Sequence, residues 1–252
     1  MDTQKLIDEA CPTINEVGWS FYFVPTTIAR GDKIGLDAFG FYFLGRGGVL
    51  GDVEAPVVSS AFGYFNPPVL ASMWDAGRNK VAPRVAAREF FEAAHEFGRE
   101  RLSGLEGLEA FVDAASKVIA HAREHIEGLT LFAGAASEPV PDDPAAAAMH
   151  CLVVLREFRG SAHLVAVVAQ GLPSKTAHFI RRPEMFTTFG YAEGDTPEVT
   201  DADLAALRAA DELTDRLVAP AFAVLDDEGA TALLDGLSAI APALRGSSIP
   251  GT

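Results

Sequence analysis

The chain has little cysteine and no long apolar run. Cys11 and Cys151 are its two cysteines, and they lie far apart. Two distant cysteines do not form a disulfide framework, so we expect a reduced, cytoplasmic protein. No apolar run approaches the roughly 20 residues that span a bilayer, and residues 1–19 lack the apolar stretch of a signal peptide. We therefore expect no membrane partner.

Positive charge is also scarce. Twenty Lys and Arg oppose 35 Asp and Glu, which gives a formal net charge of -15. Because nucleic-acid binding draws most of its affinity from cations that neutralise phosphates, this balance argues against a nucleic-acid partner. One basic cluster remains, at Arg78, Lys80, Arg84 and Arg88. Residues 183–235 hold 13 acidic residues against Arg208 and Arg216.

Apolar spacing predicts helices through the first half of the chain. Residues 53–65 and 66–77 read as two short helices joined by a tight break, the outline of a helix-turn-helix. Asn66 is placed to cap the second helix, with Pro67 at its first turn. Residues 83–102 and 107–129 carry amphipathic patterns. For residues 1–33 two interpretations of the aromatic run WSFYFV stay open, a short strand or an arm that anchors to the core.

The second half is predicted to be helical as well. After a linker at residues 137–144, a long helix should run from Ala145 to Arg159, bend at Gly160, and continue to about Gln170. Further helices are expected at residues 200–220, where Thr200 and Asp203 have capping-box spacing, and at residues 227–244, with a tail after them.

Five segments of the chain resemble an actinobacterial helix-turn-helix family often labelled SalK-like, which is distantly similar to MarR-type winged-helix regulators. They are FYFLGRGGVLG, SAFGYFNP, LFAGAASEPVPDDP, MHCLVVLREFRGSAH and TDRLVAPAFAVL. The resemblance implies a mainly α fold with few, short strands. It also implies two winged-helix-like halves in one chain, residues 1–137 and 138–252, as in a fused pseudo-dimer. Met149, Phe158 and Ser161 depart from residues that are common in that family.

Four polar side chains between two apolar runs give the clearest sign of a site: His150, Glu157, Arg159 and His163. His150 and Glu157 share a helix face, and a bend at Gly160 would turn His163 toward them. His150, Glu157 and His163 could then hold a transition metal or a metal-containing cofactor. Glu157 and His163 could instead form a catalytic acid/base pair, and Arg159 could bind a carboxylate or phosphate. The structural alternative is that Glu157 pairs with an arginine while the histidines pack.

The opposite wall of this site is predicted at Tyr42, Arg46, Phe62 and Asn66. The glycines of residues 45–51 match no nucleotide-binding loop, so we interpret them as a close approach between helices.

The main functional prediction is binding of a small molecule, cofactor or metal on a winged-helix-derived scaffold that has lost DNA binding, by a monomer or homodimer. Whether it is also an enzyme stays open. The alternatives are a MarR-like, ligand-responsive transcriptional regulator and a purely structural module.

Overall fold

The protein is mainly α-helical, as predicted. A computed structural model describes residues 1–245, so most of the predicted tail lies outside the described residues. Within that range the chain forms twelve α-helices and no strand. The helices are α1 Thr3–Val17, α2 Pro25–Lys33, α3 Ala38–Gly47, α4 Ala55–Phe62, α5 Pro67–Arg78, α6 Pro83–Leu102, α7 Leu108–Ala122, α8 Thr130–Ala135, α9 Pro144–Ala169, α10 Ser174–Arg181, α11 Asp201–Phe222 and α12 Asp227–Leu244.

The strongest local signals predicted their helices well. The helix-turn-helix pair appears as α4 and α5, while α6 and α12 begin and end where the amphipathic pattern does. Asp143 accepts the Ala146 N–H at 2.8 Å, which fixes the start of α9. Asn66 occupies the N-cap position of α5 but makes no side-chain capping bond there, so that part of the prediction is wrong.

The N-terminal prediction missed two helices. Residues 1–33 contain α1, which Asp2 caps by accepting the Lys5 N–H, and α2. The run WSFYFV between them forms turns, and its Phe21 and Tyr22 are buried, so the core-anchoring interpretation applies. In the second half, α11 continues through Pro220 for two residues beyond the predicted end.

The predicted bend at Gly160 is wrong, because α9 is one unbroken helix of 26 residues. It packs against α1, α6, α7, α8 and α11, so neighbours enclose it on several sides. Ser161 is buried and its hydroxyl accepts the Phe132 N–H at 3.3 Å. Tertiary packing therefore holds the helical backbone across a glycine that would otherwise weaken it.

Glycines within α3 and directly after it allow a close approach to α6, as predicted. A Cβ added at Gly45 would lie 2.7 Å from the Phe90 Cβ, and one at Gly48 would overlap the Pro83 carbonyl oxygen. Neither neighbour has room to move, because both belong to the packed face of α6. Only hydrogen fits at these two positions.

The main hydrophobic core is one cluster of contacting buried residues, and its members come from along the chain, from Leu6 in α1 to Leu244 in α12. This core includes residues on both sides of the predicted boundary between residues 137 and 138, because α9 packs against α6 and α7. The two-domain division and the pseudo-dimer stay predictions. Both cysteine thiols are buried and free. In the part of the chain that the structure describes, no helix has the length and apolarity needed to cross a membrane.

Candidate ligand cavity

A cavity of about 250 Å³ opens between the helix-turn-helix segment and α9–α10. Its walls come from α3, α4, the turn before α5, α9, α10 and the segment that follows α10. Aromatic and cationic side chains dominate this lining. The aromatic rings are Tyr42, Phe62, Tyr64, Phe65 and Phe189, and the arginines are Arg46, Arg156, Arg159, Arg181 and Arg182.

The cavity brings together six of the eight predicted site residues. Tyr42, Arg46, Phe62, Glu157, Arg159 and His163 all line it. Asn66 lies outside the lining because its side-chain amide donates to the Gly190 carbonyl at 2.9 Å. His150 also lies elsewhere.

His150 faces α6 instead of the cavity. Its Nδ1 lies 3.1 Å from the Nε2 of His95, and both imidazoles are buried. Burial, together with the nearby His95, lowers the pKa of His150 to about 3, so this ring is neutral at ordinary pH. Sequence reasoning missed His95, although its place on the apolar face of α6, four residues after Phe91, was a usable signal.

The three predicted metal ligands are not brought to one place. His150 and Glu157 stand seven residues apart on a straight helix, which separates their backbones by about 10.5 Å. Among the described residues there is no group of three His, Cys, Asp or Glu side chains that could hold a metal ion. The convergence that the predicted bend would have provided is absent.

Glu157 forms a buried ion pair with Arg46. The Arg46 Nε and Nη2 donate to the two carboxylate oxygens at 2.7 and 2.8 Å, and the Arg156 Nη1 donates at 3.3 Å. Burial alone would raise the pKa of Glu157, but the charges of Arg46 and Arg156 and the hydrogen bonds from Arg46 and Tyr22 outweigh it and lower that pKa. The side chain is therefore ionised and fully engaged, which fits the structural interpretation of Glu157 and not the role of a proton donor.

Arg159 and His163 lie one turn apart on the face of α9 that meets α11. The Arg159 Nη2 donates to Asp215 at 3.2 Å. The Nδ1 of His163 lies 3.0 Å from the Thr214 hydroxyl and 3.9 Å from an Asp211 carboxylate oxygen. Burial lowers the pKa of His163 to about 4, although Asp211 opposes that shift. The Thr214 and Asp211 partners come from a distant helix, so sequence spacing could not reveal them.

Three side-chain polar atoms, each from a residue that lines the cavity, are buried without a hydrogen-bond partner among the described residues. They are the Tyr64 hydroxyl, the Arg159 Nε and the His178 Nε2. His178 is 6% exposed, and burial lowers its pKa against a backbone hydrogen bond at Met185. Buried polar atoms normally have partners, so this concentration around one cavity marks it as a place for a polar ligand.

The basic cluster after α5 is largely paired inside the protein. Arg78 contacts the carboxylates of Asp52, Glu54 and Asp75 at 3.3–3.7 Å. Arg84 pairs with the buried Glu138 at 2.6 Å. These contacts reduce the positive charge that the cluster offers to a phosphate backbone.

The segment after α10 packs against one side of the start of α5. The Asn66 backbone N–H donates to the Phe189 carbonyl at 2.9 Å, and the Phe189 ring stacks on Phe65 with ring centroids 4.0 Å apart. A Cβ at Gly190 would lie 2.9 Å from the Val69 side chain, which shows how closely this segment packs on α5. In helix-turn-helix proteins the corresponding helix end contacts bases.

Comparison with known protein families identifies a helix-turn-helix family. The sequence profile of a helix-turn-helix family matches residues 8–193, nearly three quarters of the chain. No curated protein and no solved structure matches it. The matched region contains α4 and α5 and most of the residues that line the cavity. The chain belongs to this helix-turn-helix family.

Proposed function

We propose that this protein binds a small organic anion in the cavity between its helix-turn-helix and α9–α10. The observation that carries the proposal is the charge of the lining. Five arginines line the cavity, against Glu157 within the lining and Asp211 and Asp215 behind it. A cationic cavity in a chain of net charge -15 requires that arginines be concentrated there. Such a concentration favours an anionic ligand.

The size and the other walls of the cavity narrow the ligand further. A volume of about 250 Å³ lies just below the range typical of drug-sized ligand sites, so the ligand is a small molecule. The Arg46 guanidinium already covers the Phe62 ring at 4.5 Å, whereas the rings of Tyr42 and Phe65 complete an apolar wall. An anion with a compact apolar part fits both features.

Three features support the loss of DNA reading that forms part of this proposal. The exposed residues of α5 are Pro67, Pro68, Ser72, Asp75 and Ala76, none of which has a side chain suited to bidentate recognition of guanine or adenine. The segment around Phe189 packs against one side of the start of that helix, and the nearby Arg78 and Arg84 are paired with carboxylates. The SalK-like identity and the two winged-helix-like halves belong to the same proposal.

Membership of a helix-turn-helix family favours one alternative, a MarR-like regulator that binds DNA and senses a ligand in the same cavity. A mobility-shift titration of duplex DNA at decreasing salt separates the two. We expect no shift, or a weak one whose salt dependence does not change when the exposed Arg88 becomes Ala. A sequence-selective shift that weakens in Arg88→Ala would favour the regulator.

The cavity itself is tested by thermal shift with small carboxylates and phosphates and with their neutral amide or alcohol analogues. We expect anions to raise the melting temperature of the wild-type protein, and Arg159→Met and Arg182→Ala to reduce that shift. Arg245→Ala is the matched control, because this exposed arginine pairs with Glu16 and neither residue lines the cavity. Equal shifts from anions and neutral analogues, or no difference between cavity and control variants, would overturn the proposal.

A further inference from the structure

The tautomer of His163 is set by its neighbours on α11. The Thr214 hydroxyl donates its one hydrogen to the Ala210 carbonyl at 2.6 Å. It can therefore only accept from the His163 Nδ1, 3.0 Å away, which places the imidazole proton on Nδ1. The Nε2 of a neutral His163 then carries a lone pair and can act only as a hydrogen-bond acceptor.

The neutral form is the stable one here. Burial and the charges of Arg159 and Arg181 disfavour protonation of His163, while Asp211 and Asp215 favour it to a smaller extent. The resulting pKa of about 4 leaves the ring neutral at neutral pH. Since His163 lines the cavity, a ligand meets an acceptor at this position and not a cation.

Hydrogen-bond donors lie beside this acceptor. Arg159 precedes His163 by one helical turn on the same face, and its Nε–H has no partner among the described residues. The Tyr64 ring stacks near the His163 ring, with centroids 6.4 Å apart, and its hydroxyl is also unpartnered. Burial raises the pKa of Tyr64, so the phenol keeps its proton and can donate.

We propose that the cavity selects organic acids that carry a hydroxyl group close to the anionic group. Arg159 and Tyr64 bind the anionic oxygens, and the ligand hydroxyl donates to the His163 Nε2. This assignment rests on the proposed function, because it presupposes that the cavity binds an anion. It adds that a donor on the ligand is required, which a purely cationic site would not demand.

The first test needs no ligand. Nitrogen-15 spectra of the histidine side chains should show His163 with a protonated Nδ1 and a bare Nε2 throughout the neutral range. Thr214→Val, which removes the acceptor while keeping the side-chain shape, should shift His163 toward a mixture of tautomers. A bare Nδ1 in the wild-type protein, or a ring that titrates near the ordinary value of about 6.5, would overturn the assignment.

The second test uses benzoate, the hydroxybenzoates and their methyl ethers as probes in calorimetric titrations. We expect at least one hydroxybenzoate to bind about tenfold more tightly than its methyl ether, because the ether leaves the His163 acceptor without a partner. His163→Leu should lose that preference while it still binds benzoate, and Arg245→Ala should keep it.

The outcomes separate the two proposals. Equal affinities for hydroxy acids and ethers in the wild-type protein, or an unchanged preference in His163→Leu, overturn the hydroxyl requirement and leave anion binding in place. Failure of every acid to bind overturns both. A melting curve for each variant verifies folding, and Thr214→Val gives a second, conservative perturbation in case His163→Leu is destabilised.

Discussion

Replacing Glu157 by Gln would leave Arg46 and the partly exposed Arg156 without their shared anion. The Glu157 side chain is 4% exposed and that of Arg46 is 13% exposed, so neither can turn to water without a rearrangement. Removing one partner of a buried ion pair costs about 3–5 kcal/mol, because the remaining charge stays desolvated. We expect that loss in the free energy of unfolding, and a melting temperature lower by on the order of 10 °C for a chain of this size.

The chain offers a matched control for this variant. Glu16 binds Arg245 through the same two-point geometry, at 2.9 and 2.9 Å, but its side chain is half exposed. Glu16→Gln should leave stability nearly unchanged, since exposed ion pairs contribute little. Urea unfolding of both variants, with similar slopes, measures the difference. Equal effects in the two variants would refute the argument from burial.

Acidity provides a further check on the same ion pair. Arg46 and Arg156 lower the pKa of Glu157 in the folded state, so the stabilisation is present above the unfolded-state pKa of about 4.3 and is lost as pH falls toward the folded-state value. Glu157→Gln cannot titrate and should lack this acid-dependent loss. The combined variant Arg46→Met with Glu157→Leu should recover much of the stability, because the most buried cation is removed together with its anion and the remaining Arg156 side chain is 25% exposed to water.

Three further predictions concern single positions. Gly160→Ala should stabilise the protein by about 0.5–1 kcal/mol in urea unfolding, because α9 is unbroken and the added methyl group meets open space; a destabilising effect would indicate a bend. Gly48→Ala should be strongly destabilising in the same assay, since its Cβ would overlap the Pro83 carbonyl oxygen, and a neutral result would contradict the close packing of the turn after α3 on α6. The pKa of His163 is lowered in the folded state, so the free energy of unfolding should fall as pH drops from about 6.5 to about 4, by up to about 1.4 kcal/mol per pH unit. In a plot of that free energy against pH, His163→Leu should remove this part of the slope.

Local sequence signals predicted those helices whose ends and faces are marked by their own residues. The cap at Asp143 and the apolar spacing of α6 each act over less than two turns, so the sequence alone reveals them. The first helix, α1, was missed although Leu6, Ile7 and Ile14 form a buried face, because Pro12 and neighbouring turn formers obscured the pattern. Tertiary packing allows α1 to continue through Pro12, and the sequence alone does not show that packing.

The candidate site was predicted in part. Sequence reasoning found Arg46, Glu157 and His163, because charged and polar residues within apolar runs stand out. It could not find their pairing, since Arg46 and Glu157 lie 111 positions apart and the Thr214 partner of His163 lies on α11. The prediction about Gly160 failed for the same reason, because the neighbours that keep α9 straight come from six other helices.

The central position of α9 affects how hydrogen exchange would change when a ligand occupies the cavity. Most of this helix lies in the main core, and its middle, from Arg156 to His163, forms a wall of the cavity. Its amide hydrogens should therefore exchange with solvent only when most of the molecule opens. A compound held against Arg159 and His163 would slow deuterium uptake far from its contacts, in α1, α6 and α7, and not only around itself.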